Sequence, residues 1–419
     1  MVGAHSGDAR LQQQGVNMKE RLYYQDVYQQ AFTAAITKRG AEADGTPYVV
    51  LSQTAFYPNG GGQPADHGFL GEVRVIDVEE IDGEIRHRLT EQLPESWEQV
   101  NGQINWERRF DHMQQHAGQH ILSASFREVA DAETVAFHLG SERVTIDVRL
   151  DELTSDVWAK VERRANQIIL ENHPIIARFV DEDELQALPI HKLPTVTQDI
   201  RLVIIPDFDY NPCGGTHPSR TGEVGLVKIL GWERHRGNVR LEFLCGWRAM
   251  REYTVKQRRL SEAVRLLGTN EAELSAELER LLVERDTLKQ ALQEKERLLL
   301  AEEVRQVLSE STPMGAYRLL QKGFADRTIQ QLQHFAQQVN AQASDVISLL
   351  ATTGDKRQLV FSRGQDVPVA MNQLMKEVLP AIDGKGGGSP AVAQGGGQAN
   401  LTAEEVLTLA RQKLEELMQ

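Results

Sequence analysis

Two short motifs in this 419-residue chain have the residue types and spacing to bind a metal ion. The first, His116-Ala-Gly-Gln-His120, falls in a stretch that reads as helix. Residues four apart share one helical face, so both imidazoles can reach one point. The second, Cys213-Gly-Gly-Thr-His217, reads as a loop. Its glycines let the backbone bend close to an ion while a thiolate and a third imidazole close around it. Together the motifs make a His, His, Cys, His set suited to zinc. His112 and His138 are spare ligands, and Cys245, at a strand end, reads as a small buried hydrophobe. Zinc could lower the pKa of a bound water, yet four protein ligands fill a tetrahedron. Three options stay open: one ligand is displaced, the ion becomes five-coordinate, or zinc positions the substrate and water is activated elsewhere. The complete ligand set fits the positioning role best.

A second candidate is the run Gly60, Gly61, Gly62 and Gln63. Backbone without β-carbons can approach a substrate closely, and Gln63 offers a donor and an acceptor. The expectation is that this loop walls a substrate pocket with Thr54 facing it; the alternative is a tight turn joining two strands. Thr134 and Thr145 are further candidates for a polar pocket wall. The formal charge of −14 argues against a nucleic-acid partner, but its distribution does not. From Lys228 to Arg259 nine Lys or Arg face three Glu. Lys228, Arg234, Arg236 and Arg240 are therefore candidate phosphate contacts, with a solvated face as the alternative. Lys385 stands in a second glycine-rich run, read as a loop and a poor motif by itself. That run lacks the GxxxxGK[ST] order of a nucleotide-binding loop, so ATP is not expected.

Behind these residues the pattern is α+β. Residues 1–18 read as a disordered lead. Residues 19–105 read as a small β domain, with Tyr48 to Tyr57 rich in strand formers before the glycine run. Residues 106–254 read as an α+β domain carrying both motifs, with helices over Phe110 to Val129 and Ser155 to Glu171. Its strands are expected at Arg143 to Leu150, Ile175 to Val180, Leu202 to Ile205, Glu223 to Ile229 and Val239 to Leu244. Residues 255–311 read as a long helical stretch, a coiled-coil or helical-hairpin arm, because Leu274, Leu278, Leu281, Leu288, Leu292 and Leu299 repeat on 4-3 spacing. Residues 312–419 read as a C-terminal α/β domain with a strand at Gln358 to Phe361 and a closing helix after Thr402. No apolar run is long enough to span a membrane, and the N-terminal residues lack the apolar stretch of a secretory signal, so a cytoplasmic enzyme is the expectation.

FYPNGGGQPADHG at 56–68, HAGQH at 116–120, CGGTH at 213–217, TGEVG at 221–225 and RLEFLCG at 240–246 stand in the order seen in the AlaX family. Over about residues 50 to 250 the chain thus resembles AlaX proteins and the editing half of alanyl-tRNA synthetase. The glycine run near Lys385 is similar to the C-terminal domain of that synthetase and of the long AlaX form, which implies that Lys385 is a second RNA contact. The resemblance implies zinc held by His116, His120, Cys213 and His217. It implies a trans-acting deacylase that frees serine or glycine from mischarged tRNA(Ala), recognised through its acceptor stem. No segment resembling a class II aminoacylation domain is seen ahead of it. The family's synthetase version has threonine before the second histidine, where this chain has Gln119, which bears on amino-acid discrimination. A homodimer through the C-terminal region is a further expectation. The rival readings are editing of another tRNA, such as Ser-tRNA(Thr), and a non-catalytic zinc-containing tRNA-binding module.

Overall fold

The computed structural model describes residues 20–191, 199–354, 356–398 and 400–418; the expected lead at 1–18 lies outside them. The chain divides into two compact units, the first ending at Ala263 and the second beginning at Val264.

The first unit opens with a helical turn, α1 (Leu22–Gln25), and a closed six-stranded barrel. Its strands are β1 (Ala31–Ala41), β2 (Pro47–Leu51), β3 (Gly68–Leu70), β4 (Val73–Ile81), β5 (Glu84–Leu89) and β6 (Gln99–Ile104), in the order β1-β2-β5-β4-β3-β6. The long β1 closes the barrel by pairing with β6 through its first half and with β2 through its second, and a register shift at Ile36/Lys38 falls at the start of the β2 pairing. The strand expected over Tyr48 to Tyr57 stops at Leu51. Beyond it Ala55, Phe56 and Tyr57 turn inward and are buried, so the chain leaves the sheet to fill the core.

Next comes α2 (Trp106–Ala130), capped by the Asn105 side chain, which accepts from the Arg108 amide at 3.1 Å. From His112 to Phe126 it is buried on every side, as a central helix must be. Against it lie the antiparallel pair β7 (Thr134–Leu139) and β8 (Val144–Val148), and helix α3 (Ser155–Glu171). A three-stranded sheet follows, made of β9 (Ile176–Phe179), β10 (Arg201–Ile205) and β11 (Asp209–Pro212), with the short α4 (Glu182–Ala187) after β9. The strand expected over Glu223 to Ile229 begins only at β12 (Val227–His235), because Gly225 at φ 82° ends a tight helical turn there. Then β13 (Asn238–Cys245) completes the four-stranded order β12-β13-β8-β7.

The helical stretch expected from Val255 is broken into two helices. One, α5 (Gly246–Leu267), ends at Gly268 with φ 63°. The Asn270 side chain then caps the Glu273 amide ahead of α6 (Leu274–Ser309). In the second unit Leu278, Leu288, Leu292 and Leu299 of the seam are exposed, and the buried residues of α6 are Val304 and Val307 near its end. The sheet of this unit runs β14 (Thr312–Met314), β15 (Tyr317–Phe324), β16 (Val346–Thr352), β17 (Lys356–Arg363), β19 (Val392–Gln398), β18 (Lys385–Gly388). Alternation along β16 sends Val346 and Leu350 to α7 (Ile329–Gln342), and Ile347, Leu349 and Ala351 to α8 (Met371–Val378) and α9 (Ala403–Met418). The glycine run expected as a loop is a strand pair instead: Gly386 lies opposite Gly395, and a Cβ on Gly386 would sit 2.3 Å from the Gln394 carbonyl oxygen. Among the described residues no helix is long and apolar enough to cross a membrane.

Candidate metal centre

Helix α2 carries His116 and His120 with nearly parallel rings, 5.2 Å apart between centroids and inclined by 12°. Between them Gly118 has a packing reason: a Cβ there would lie 2.1 Å from the sulfur of Cys245 on β13. Cys245 is fully buried in the hydrophobic core and takes no part in the cluster.

The loop after β11 brings Cys213 and His217 to the same point. Its form is fixed by donors to three successive carbonyls. Arg201 donates to the oxygens of Cys213 and Gly215 at 2.9 and 2.8 Å, and the Tyr24 hydroxyl donates to that of Gly214 at 3.0 Å. Gly215 must be glycine, since a Cβ would come within 2.3 Å of the His116 ring.

One ligand atom from each of His116, His120, Cys213 and His217 lies within 4.8 Å of the others. The Cys213 sulfur is 3.4 Å from His116 Nε2 and 3.7 Å from His217 Nε2. Bond lengths of about 2.05 Å to nitrogen and about 2.3 Å to sulfur give a tetrahedral N···S edge of about 3.5 Å. The orientation of the rings fits as well. His116 Nδ1 meets the Gln63 side-chain oxygen at 3.0 Å, which leaves Nε2 for an ion. His120 turns Nδ1 toward Asp209, 3.7 Å away, and its Nε2 is a buried nitrogen with no partner. Burial alone would push the Cys213 thiol up, but the imidazoles, led by His116, draw it well below its usual range. Thiolate and nearby carboxylate suit a dication, and the donor set fits zinc.

Beside the cluster opens a cleft of about 610 Å³. Gln119 and Ser123 share its wall with His120 and Thr134. Gln119 donates to the Ser123 hydroxyl oxygen at 2.9 Å, and the Thr134 hydroxyl donates to the same oxygen at 2.7 Å. Arg127, Arg149 and His191 also line the cleft.

The expectations for His112, His138, Gln63, Thr54 and Thr145 are corrected. His112 is buried one turn before His116 and His138 is exposed on β7, and neither joins the cluster. Gly61 lines the cleft, but Gln63 is fully buried behind His116, so its side chain does not wall the pocket. Thr54 faces into the barrel, where its hydroxyl meets His87 Nε2 at 2.8 Å. Thr134 lines the cleft and Thr145 does not. Lys228 and Arg240 are held by Glu162 and Asp147, at 2.6 and 2.7 Å, while Arg234 and Arg236 are exposed. Lys385 is exposed on β18 in the second unit. Sequence reasoning missed Ser123 and Asp209. Ser123 was within reach, because His116, Gln119, His120, Ser123 and Arg127 follow one helical face.

Three family models match parts of the chain. They are the Threonyl and Alanyl tRNA synthetase second additional domain at residues 200–242, tRNA synthetases class II (A) at 4–108, and the DHHA1 domain at 317–419. The alanyl-tRNA editing protein AlaX-L of Pyrococcus horikoshii is 33% identical over 411 residues, covering 96% of this chain and 100% of that protein. The chain belongs to the AlaX family of alanyl-tRNA editing proteins. The alanine–tRNA ligase of Pyrobaculum aerophilum is also 33% identical, over 89% of this AlaX-family chain but 42% of the ligase. The crystallised C-Ala domain of Aquifex aeolicus alanyl-tRNA synthetase matches 26% of the chain at 24% identity, and its TM-score of 0.23 is too low to support an argument about fold. The described part of the class II match, from residue 20, contains the six-stranded barrel.

Proposed function

We propose that this AlaX-family chain is a trans-acting deacylase that hydrolyses the ester of tRNA(Ala) wrongly charged with serine, and of tRNA(Ala) charged with glycine. The observation that carries the reading is the meeting of His116, His120, Cys213 and His217 at a cleft whose adjoining wall is the hydroxyl chain of Ser123 and Thr134. The four side chains would hold zinc, which when bound would supply a fixed positive centre for orienting the aminoacyl end.

The chain's own residues account for selectivity. Ser123 oxygen already accepts bonds from Gln119 and Thr134, so its own proton is left to turn toward the cleft. A substrate serine hydroxyl can accept that proton, whereas an alanine methyl leaves it unpaired, and buried polar mismatches of this kind discriminate strongly. Glycine, lacking the methyl, leaves room for a water that accepts the same proton. Gln119 takes part through its amide, which makes its presence in place of the synthetase's threonine compatible with a polar wall. Exposed Arg234 and Arg236 would meet phosphates of the acceptor stem. On this reading the chain acts in the cytoplasm, where tRNA is charged.

The test is release of amino acid from tRNA(Ala) charged with serine, glycine or alanine, with Ser-tRNA(Thr) as control. Loss of serine and glycine with alanine spared is expected. Faster hydrolysis of Ser-tRNA(Thr) would transfer the activity to threonine tRNA, and no hydrolysis by folded, zinc-loaded protein would leave a binding module.

A further inference from the structure

The glycine turn of the barrel lines the cleft through Gly61, but it reaches the metal cluster through Gln63. Gln63 is fully buried, and its amide orientation is fixed by a backbone group: its side-chain oxygen accepts from the Thr216 amide at 3.1 Å, while its side-chain nitrogen donates to the Thr216 hydroxyl at 2.8 Å. The same oxygen meets His116 Nδ1 at 3.0 Å. An amide oxygen only accepts, so His116 must carry its proton on Nδ1 and present the Nε2 lone pair toward Cys213, 3.4 Å away. One side chain from the barrel thus ties the HAGQH helix to the CGGTH loop.

The turn also works through the preceding residue. Gly62, at φ 81°, lies so close to Phe137 that a Cβ would be 2.9 Å from the ring. That phenyl ring stacks on His116 with centroids 5.2 Å apart and planes inclined by 29°. Three residues beyond Gln63, Asp66 is locked to Arg109 in a fully buried ion pair with an N···O distance of 2.9 Å. Arg109 and His116 stand two turns apart on α2 and so on the same face. The turn is therefore anchored to α2 at two points.

We propose that the Gly60–Gln63 turn is an outer clamp on the metal centre, in which Gln63 is a positioning residue that fixes the tautomer of His116 and Gly62 seats Phe137 over the same ring. This rests on the reading that the four donors hold zinc.

The experiment is zinc affinity, measured by chelator competition on the full chain, together with the urea stability of the metal-free protein. Wild type is expected to bind one zinc. Gln63→Leu should weaken binding about 10- to 100-fold, the usual effect of losing an outer-shell partner. Gln63→Glu, which keeps an acceptor at Nδ1, should restore affinity to within a few-fold of wild type. Thr216→Val, which removes only the hydroxyl that accepts from Gln63, should give a smaller loss and serves if Gln63→Leu does not fold. Wild type that binds no zinc overturns the metal reading and the clamp with it. Wild type that binds zinc while Gln63→Leu and Thr216→Val bind it equally well overturns the clamp alone.

Discussion

Asp209 and His120 face one another across 3.7 Å, carboxylate to Nδ1, with the carboxylate almost wholly buried and also accepting from Arg127 at 2.6 Å. The pair orients His120 so that its unpartnered Nε2 points at the cluster. Asp209→Ala should lower zinc affinity about 10- to 100-fold, as loss of a carboxylate behind a ligating histidine does elsewhere. Chelator competition checks it, and an unchanged affinity would show that His120 needs no orienting partner.

Gly118 and Cys245 allow a test of packing at the helix that carries the ligands. In an ordinary helix Gly→Ala stabilises by about 1 kcal/mol. Here the added methyl would meet the Cys245 sulfur at 2.1 Å. Gly118→Ala should therefore destabilise by about 1 to 3 kcal/mol, the usual cost of overpacking. Cys245→Ala in the same chain should recover part of the loss, because the Cys245 Cβ, 3.2 Å from the new methyl, remains. Thermal or urea unfolding of the single and double variants measures the coupling.

His87, inside the barrel, gives a pH dependence independent of the metal. Burial lowers its pKa to about 4, against the hydrogen bond to the Val49 carbonyl, which raises it. The folded state keeps it neutral while the unfolded state takes up a proton near pH 6.5. The unfolded chain therefore binds more protons between these values, and stability is full above pH 6.5 and falls as pH drops toward 4. The contribution of this residue should be on the order of 2 kcal/mol lower at pH 5 than at pH 7.5. Urea titrations of metal-free wild type and His87→Gln at both pH values isolate it; identical pH dependence in the two would contradict the assignment.

The arginines of the β12–β13 hairpin should matter unequally. Arg240 is engaged by Asp147 through two bonds of 2.7 and 2.8 Å, whereas Arg234 and Arg236 are exposed. Arg234→Ala with Arg236→Ala should weaken tRNA binding and reduce the dependence of log K on log salt by about one per lost phosphate contact. Arg240→Ala should change that slope less. Filter binding across a salt series distinguishes the two.

The ligands were legible in the sequence because their spacing has a local meaning: i and i+4 on a helix, and a cysteine and histidine closing a glycine loop. Helix α3, Ser155 to Glu171, was legible for the same reason, since its capping Thr154 and apolar periodicity act within the segment. Gln63 and Thr54 were misplaced because their partners are set by tertiary packing. Gln63 bonds to residues 53 and 153 positions away, and Thr54 to one 33 away. Asp209 had no motif to mark it, as its role exists only once β11 lies beside α2. The break at Gly268 carried a signal, a glycine followed by the helix-starting Asn270, but it was overridden by the leucine repeat beyond it.

The central claim is that mischarged tRNA(Ala) is deacylated at the His116, His120, Cys213 and His217 centre. Its most direct test is the single-turnover rate of serine release from Ser-tRNA(Ala) by zinc-loaded wild type and by Cys213→Ala, with folding of both verified by circular dichroism. Rapid release by wild type and at least a hundredfold slower release by the folded variant is the predicted result. Equal rates would place the chemistry elsewhere in the chain, and no release by either would contradict the enzyme reading itself.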